Sequence, residues 1–102
     1  MYEVIYMKAD FEPWWMFEGW EEEVLSRQTF LDEYHAINFL EETLAELRLK
    51  YKNESVKKNC FFAFWSDNEK LSCDACSDDL QIYHGIILLF EGKPYSRLGN
   101  SN

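Results

Sequence analysis

Basic residues are scarce in this sequence, and their scarcity excludes partners that need a positive surface. Ten lysines and arginines stand against 19 aspartates and glutamates, and the formal net charge is −9. A charge of this sign repels nucleic-acid phosphates and anionic membrane surfaces at long range. Long apolar runs are also missing, since the longest, residues 86–90, is far shorter than the ~20 residues of a membrane-spanning helix. We therefore expect neither direct nucleic-acid binding nor membrane association.

Proline and glycine are also few, and nothing in the chain resembles a linker between domains. The sequence has two prolines, four glycines and no internal repeat in its 102 residues, which is the length of one domain. Hydrophobic residues make up 47% of the chain, which excludes overall intrinsic disorder. We predict a single domain over residues 1–97 and a frayed tail at residues 98–102.

Cysteine occurs only three times, at Cys60, Cys73 and Cys76, so the thiols cannot all pair within one chain. No basic region precedes an apolar stretch at the N-terminus, and we therefore expect no secretory signal peptide. Both features favour the cytoplasm, a reducing compartment in which thiols stay free, bind metal or do redox work.

Runs of β-branched and aromatic residues predict the strands of this domain. Residues 2–8, 60–66 and 80–90 have this composition, and a weaker pattern at residues 24–28 predicts a further strand. Turn-forming residues at 66–68 predict a hairpin that returns through Leu71, and Gly85 suggests a kink or bulge in the last strand. Polar residues 53–59 are interpreted as a loop.

A single long helix is predicted at residues 30–52. Thr29 can cap it, with Asp32 three residues later as the acid of a capping-box-like pair. Apolar residues recur at helical spacing on one side, at Phe30, Ile37, Leu40, Leu44, Leu47 and Tyr51. Because strands joined by short turns are antiparallel, we predict an α+β domain, a mostly antiparallel sheet with one long helix packed on one face.

The segment at residues 10–23 mixes aromatic rings with carboxylates and contains no base. Pro13 and Gly19 interrupt any long regular element there. Tryptophan is enriched at interface hot spots, and rings beside carboxylates suit a cationic or amphipathic partner. Alternatively, the rings merely cover one end of the core. The candidate partner-binding residues are Trp14, Trp15, Phe17, Trp20, Glu12, Glu18 and Glu21.

Cys73 and Cys76 form a Cys-x-x-Cys pair, a spacing suited to tetrahedral zinc or to a dithiol–disulfide couple. A zinc site needs further ligands, and Cys60 and His84 are the candidates that could complete it. The alternatives are a turn with free thiols and a redox pair, although neighbouring acids would raise the thiol pKa and disfavour redox catalysis. For His84, the competing interpretation is a hydrogen-bonded core residue.

The predicted helix carries a second, minor apolar stripe of Leu31, His35 and Phe39, with Leu49 close to the same side. Such a stripe can mark a homodimer or partner contact, although single exposed hydrophobic residues are also normal. Towards the helix end, five bases fall within residues 48–58, including Lys57 and Lys58. They form either a solvated helix end and loop or a contact for an anionic partner.

Five parts of the sequence together carry a family resemblance. They are residues 1–10, the following segment through Trp20, Phe64-Trp65-Ser66, the Cys-x-x-Cys pair and residues 80–85. Over nearly the whole chain, the sequence resembles the small bacterial family known as domain of unknown function 1033, from low-GC Gram-positive bacteria. The resemblance implies no activity, cofactor or catalytic residue. Some members are labelled DNA-binding, whereas the charge of −9 argues against that function here.

These features favour a non-catalytic protein-interaction or regulatory module that acts through the acidic, tryptophan-rich segment. The expected partner is a protein with a basic or amphipathic surface. The alternative is a small zinc-binding module that associates with a nucleic-acid machine through protein contacts. An enzyme, thiol-redox or hydrolytic, ranks last because few polar candidates could converge in a pocket.

Overall fold

The structure, a computed structural model, describes residues 1–71 and 80–95 as one antiparallel sheet with a long helix and a small hairpin. The elements in chain order are β1 (Tyr2–Ala9), β2 (Val24–Phe30), α1 (Glu33–Lys50), β3 (Asn53–Lys57), β4 (Phe61–Trp65), β5 (Lys70–Leu71), β6 (Leu80–Gln81), β7 (Tyr83–Phe90) and β8 (Lys93–Pro94). The predicted α+β class is confirmed. The tail predicted at residues 98–102 lies outside the described residues.

The main sheet has the strand order β2-β1-β7-β4-β3, and β8 pairs with β7. The first strand and the long last strand are therefore central neighbours, in register from Tyr2 opposite Phe90 to Ala9 opposite Tyr83. The hairpin of β5 and β6 forms a separate two-stranded sheet. Every pairing between these strands is antiparallel, which confirms the predicted antiparallel sheet. The hairpin predicted to return through Leu71 is wrong, because Leu71 lies in β5, which pairs with β6 and not with β4.

Each face of the main sheet is covered by a different part of the chain. Because successive side chains of a strand point to opposite faces, Tyr6 and Met7 lie on different sides of the sheet. The face of Tyr6 packs against α1, which buries Leu40, Leu44 and Leu47. The face of Met7 meets Pro13 in the segment that follows β1. The helix thus leaves the second face to residues 10–23.

Helix α1 begins later than predicted and has a different cap. Asp32 is the N-cap, and its carboxylate accepts a hydrogen bond from the backbone N–H of His35 at 3.3 Å. Thr29 cannot take this role because it pairs with Glu3 in the β1–β2 ladder. The predicted core positions Leu40, Leu44 and Leu47 are buried.

Over residues 1–71 and 80–95, no helix is long and apolar enough to cross a membrane.

The prediction of a loop at residues 53–59 is wrong. Asn53 to Lys57 form β3, an edge strand that pairs with β4 along its whole length. Edge strands are often polar and carry lysine, which discourages pairing with other chains, so the composition resembled that of a loop. Lys58 and Asn59 then turn the chain back with positive φ values of 56° and 57°.

The predicted kink at Gly85 is also wrong. Gly85 pairs in register with Met7 on one side and Ala63 on the other, and the strand is interrupted instead at Ile82. Glycine is required because Pro13 packs directly on it. A Cβ at this position would lie 2.8 Å from the Cβ of Pro13. The glycine therefore marks close approach of the aromatic segment to the sheet.

Candidate functional site

Residues 10–23, hereafter the aromatic segment, cross the sheet face opposite α1. Two short 3-10 helices form within it, Pro13–Trp15 and Trp20–Glu23. The first contacts β4 and β7, and the second contacts β1 before the chain enters β2. Met16 follows the first 3-10 helix and Gly19 precedes the second. Both have a left-handed backbone conformation, with φ values of 47° and 84°. The interruptions expected from Pro13 and Gly19 are present.

The rings of the aromatic segment divide between the core and solvent. Trp14 and Trp20 are half-buried and pack against the core, whereas Trp15 and Phe17 are 54% and 53% exposed. The exposed pair stacks nearly parallel, with ring centroids 5.9 Å apart and planes 5° from parallel. Phe11 supports the pair by an edge-on contact with Phe17 at 5.1 Å. The segment therefore presents a preformed aromatic surface.

Carboxylates accompany this aromatic pair. Glu12 accepts a hydrogen bond from the indole N–H of Trp15 at 3.1 Å, which fixes the orientation of that ring. Glu18 and Glu21 are exposed, as are Glu22 and Glu23. The site has the expected ingredients, exposed rings beside acids. Binding of a partner by Trp14, Trp15, Phe17, Trp20 and these glutamates stays a prediction.

A groove of about 390 Å³ opens between the aromatic segment and the β3–β4 turn. Two lysines contribute to it, and the Lys57 ammonium lies 5.4 Å from the ring centre of Trp14. A groove of this size is large enough for a drug-sized ligand or a large aromatic side chain. The residues that line it are Trp14, Trp15, Met16, Lys57, Lys58, Phe61 and Pro94.

A second polar cluster lies on the helix-covered face, around His84. The imidazole is only 4% exposed, and both of its nitrogens have partners. Nδ1 lies 2.6 Å from the Tyr6 hydroxyl, and Nε2 lies 2.8 Å from a carboxylate oxygen of Glu69. Tyr51 stacks on the ring with centroids 4.4 Å apart. His84 is therefore the hydrogen-bonded core residue of the second interpretation.

The proton arrangement of this cluster follows from the chemistry of its members. An ionised carboxylate only accepts hydrogen bonds, so a neutral His84 donates through Nε2 and accepts the Tyr6 O–H at Nδ1. Burial raises the pKa of Tyr6 to about 12, with contributions from Tyr51 and Glu69. The network holds the β5–β6 hairpin, which carries Glu69 at its base, against β1 and β7.

We expect Tyr6→Phe to remove a tyrosine ionisation near pH 12 from the titration of the folded protein. Because the pKa of Tyr6 rises from 10.0 to about 12 on folding, its contribution to stability is complete below pH 10.0 and is lost between these values. Absorbance titration of tyrosinate measures this directly, with circular dichroism to confirm the fold at each pH. Loss of amplitude near pH 10 rather than near pH 12 would contradict the assignment.

The proposed zinc ligands do not come together within the described residues. Cys60 precedes β4 and its carbonyl accepts from Leu88, whereas His84 pairs with Phe64 at the other end of that strand. Burial raises the pKa of the Cys60 thiol, which disfavours the thiolate that zinc needs. No group of metal-ligating side chains occurs in residues 1–71 and 80–95. Cys73 and Cys76 lie outside these residues, and zinc binding there stays a prediction.

The second apolar stripe predicted on the helix does not form as one surface. Leu31 is 85% exposed but precedes the helix, and His35 is exposed and bound to Asp32 at 2.7 Å. Phe39 instead packs against the core beside Phe30, with ring centroids 5.4 Å apart. The exposed stripe therefore lacks Phe39. A partner or homodimer contact by Leu31, His35 and Phe39 stays a prediction.

The comparison with protein families gives one match, to the model described as Protein of unknown function (DUF1033), over residues 1–98. The chain belongs to this family. The resemblance seen in the sequence is thereby confirmed, with a match that spans both the aromatic segment and the His84 cluster. No curated protein and no solved structure matches the chain.

Sequence reasoning missed the partners of His84. Tyr6 is 78 residues away and Glu69 is 15 residues away in the chain. Their meeting depends on the antiparallel pairing of β1 with β7 and on the β5–β6 hairpin. The only signal in the sequence is the polar histidine within an apolar strand, which demands hydrogen-bond partners without naming them.

Proposed function

We propose that this protein is a non-catalytic interaction module that binds a basic or amphipathic protein partner through its aromatic segment. The observation that carries the proposal is the exposed, stacked pair of Trp15 and Phe17. The largest contiguous apolar patch on a protein surface is often functional, and tryptophan is over-represented among interface hot spots.

The negative charge of the aromatic segment indicates what kind of partner it can bind. The aromatic segment contains six carboxylates and no base. A lysine or arginine of the partner can lie over the face of Trp15 while its charge meets Glu12 or Glu18, and this geometry combines cation–π attraction with ion pairing. An acidic or nucleic-acid partner would be repelled by the same carboxylates.

The non-catalytic part of the proposal is supported by the state of the best acid–base candidate. His84 is buried and its two ring nitrogens are engaged by Tyr6 and Glu69. A general base needs access to a substrate proton, which this enclosure opposes. The proposal also assumes a reducing cytoplasm, in which the buried thiol of Cys60 stays free.

We expect Trp15→Ala to weaken binding of a cationic amphipathic peptide by at least about fivefold, or about 1 kcal/mol. A helical peptide of leucine and lysine, with the leucines three and four residues apart so that they share one face, is a suitable probe, and isothermal titration calorimetry measures its affinity. The fold should survive, because Trp15 lies mostly outside the core. Circular dichroism and thermal unfolding check this.

Leu49→Ala is the matched control. Leu49 is 90% exposed on α1, on the other side of the sheet, so removing it changes exposed apolar area without touching the aromatic segment. Equal affinity losses in the two variants, or equal binding of an acidic peptide of the same pattern, would refute the proposal.

A further inference from the structure

The groove beside the aromatic segment differs in charge from the segment itself. Lys57 and Lys58 line it, and none of the described residues that line it is acidic. Neither lysine forms an ion pair within residues 1–71 and 80–95. The aromatic segment, in contrast, contains six carboxylates and no base. A partner that covers both surfaces must therefore offer positive charge to the segment and negative charge to the groove.

The walls of the groove suit an aromatic side chain. Trp14 and Trp15 line it from the aromatic segment, and the buried ring of Phe61 lines it from β4. Its volume of about 390 Å³ falls within the range typical of ligand pockets. A ring that packs on such walls buries a large apolar area and can stack on the indoles. The groove thus combines aromatic walls with two ammonium groups.

The turn between β3 and β4 holds one of these lysines in an unusual conformation. Lys58 and Asn59 have φ values of 56° and 57°, and the N–H of Cys60 donates to the carbonyl of Lys57 at 3.3 Å. Two-residue hairpin turns with positive φ at both positions favour asparagine, aspartate and glycine. The turn geometry therefore does not account for a lysine at position 58, whereas an anionic group in the groove would.

We propose that the occupant of this groove is the C-terminal residue of the basic protein partner, an aromatic residue whose free carboxylate meets Lys57 and Lys58. This inference rests on the proposed function, since it names the part of the partner that binds beside the same segment. Capture of a free C-terminus is a recurring mode of peptide recognition. Even a fully basic segment carries one negative charge at its unmodified end, so the partner need not be acidic.

Trp15 joins the two binding surfaces. Its ring lines the groove and also stacks on Phe17, and Glu12 accepts a hydrogen bond from its indole N–H. Consecutive Cα atoms of a peptide are about 3.8 Å apart, so the residue just before the C-terminal one lies within reach of Trp15. A lysine or arginine at that position meets the indole and the Glu12 carboxylate. The partner's basic residues thus lie on the aromatic segment while its carboxylate lies between the lysines.

The test compares two peptides by isothermal titration calorimetry at neutral pH. Both are the leucine–lysine peptide of the binding experiment with Lys-Phe added at the C-terminus. One ends in a free carboxylate and the other in an amide. We expect the free acid to bind the wild-type chain at least about fivefold more tightly. The amide carries one more positive charge, so attraction to a protein of net charge −9 would by itself favour the amide.

The variant Lys57→Gln/Lys58→Gln tests whether these lysines cause the preference. The free acid should lose its advantage, whereas the amide should bind at least as well as before, because the protein loses two positive charges. Lys50→Gln/Lys52→Gln is the matched control. It removes the same charge beyond the other end of β3, and the preference for the free acid should remain. Circular dichroism checks the fold of both variants.

The proposal is overturned if the wild-type chain binds the free acid no more tightly than the amide, or if the preference survives Lys57→Gln/Lys58→Gln. N-acetylphenylalanine is the third probe. If it alone binds as tightly as the free-acid peptide, the groove takes a small aromatic acid and not the end of a protein partner.

The proposed function can fail separately from this inference. If the amidated peptide binds and Trp15→Ala weakens its binding, but the free acid gains nothing, the interaction module stands and only capture of the C-terminus fails. If neither peptide binds the wild-type chain, both proposals fail.

Discussion

Replacing His84 with alanine is expected to lower the free energy of unfolding by about 3 to 5 kcal/mol. The imidazole is buried, so its loss leaves a cavity against the ring of Tyr51. It also removes the partner of the Tyr6 hydroxyl and of the Glu69 carboxylate at the same time. Urea unfolding monitored by tryptophan fluorescence measures the change.

His35→Ala is the natural control for this experiment, because His35 also lies close to a carboxylate. Its Nδ1 is 2.7 Å from Asp32, but both side chains are more than half exposed. Solvent screens such a pair, and the backbone N–H of residue 35 still reaches the Asp32 cap. We expect an unfolding midpoint close to that of the wild type. If His84→Ala and His35→Ala lowered the free energy of unfolding equally, burial of His84 would not be the reason that its hydrogen bonds stabilise the protein.

The main elements of the fold could be predicted because their residues carry strong local patterns. Leu40, Leu44 and Leu47 recur at helical spacing and are buried against the sheet. The apolar runs in β1, β4 and β7 fill the centre of the sheet, where both faces are covered. Burial of these apolar side chains directly stabilises the helix and strands that carry them, so the predicted elements are the ones that form.

The elements that were predicted wrongly are those whose structure depends on pairing with another strand. β3 is a polar edge strand, and only its ladder with β4 distinguishes it from a loop. Asp32 caps the helix in place of the predicted Thr29, because Thr29 pairs in the sheet with Glu3 of β1, more than twenty residues earlier in the chain. Local propensity carries no information about either contact.

One part of the candidate site could be predicted from the sequence, and the other part depends on contacts that the sequence does not reveal. The composition of the aromatic segment predicts that some ring must stay exposed, since its acids resist burial. Which ring is exposed depends on the turn at Met16, after which Phe17 can stack on Trp15 outside the core. The groove depends further on Lys57 and Lys58, which the β3–β4 hairpin brings to the segment.

We expect Gly85→Ala to destabilise the protein by about 2 kcal/mol and to displace the aromatic segment from the sheet. The added Cβ would lie 2.8 Å from the Cβ of Pro13 and 3.1 Å from the Cγ of Met7. Met7 is flexible, but the ring of Pro13 is tied to the backbone that leads directly to Trp14 and Trp15. Urea unfolding measures the stability, and acrylamide quenching of tryptophan measures the displacement.

Pro13→Gly in the same chain tests whether this contact is the cause. Removing the proline ring takes away the two atoms closest to the new methyl group, at 2.8 and 3.0 Å, so the two substitutions should offset each other. A double-mutant cycle should therefore give a coupling energy of about 1 kcal/mol or more in the stabilising direction. Additive effects would mean that the strand tolerates the methyl group without pressing on Pro13. Coupling would establish Gly85 as the point where the sheet supports the segment that bears Trp15.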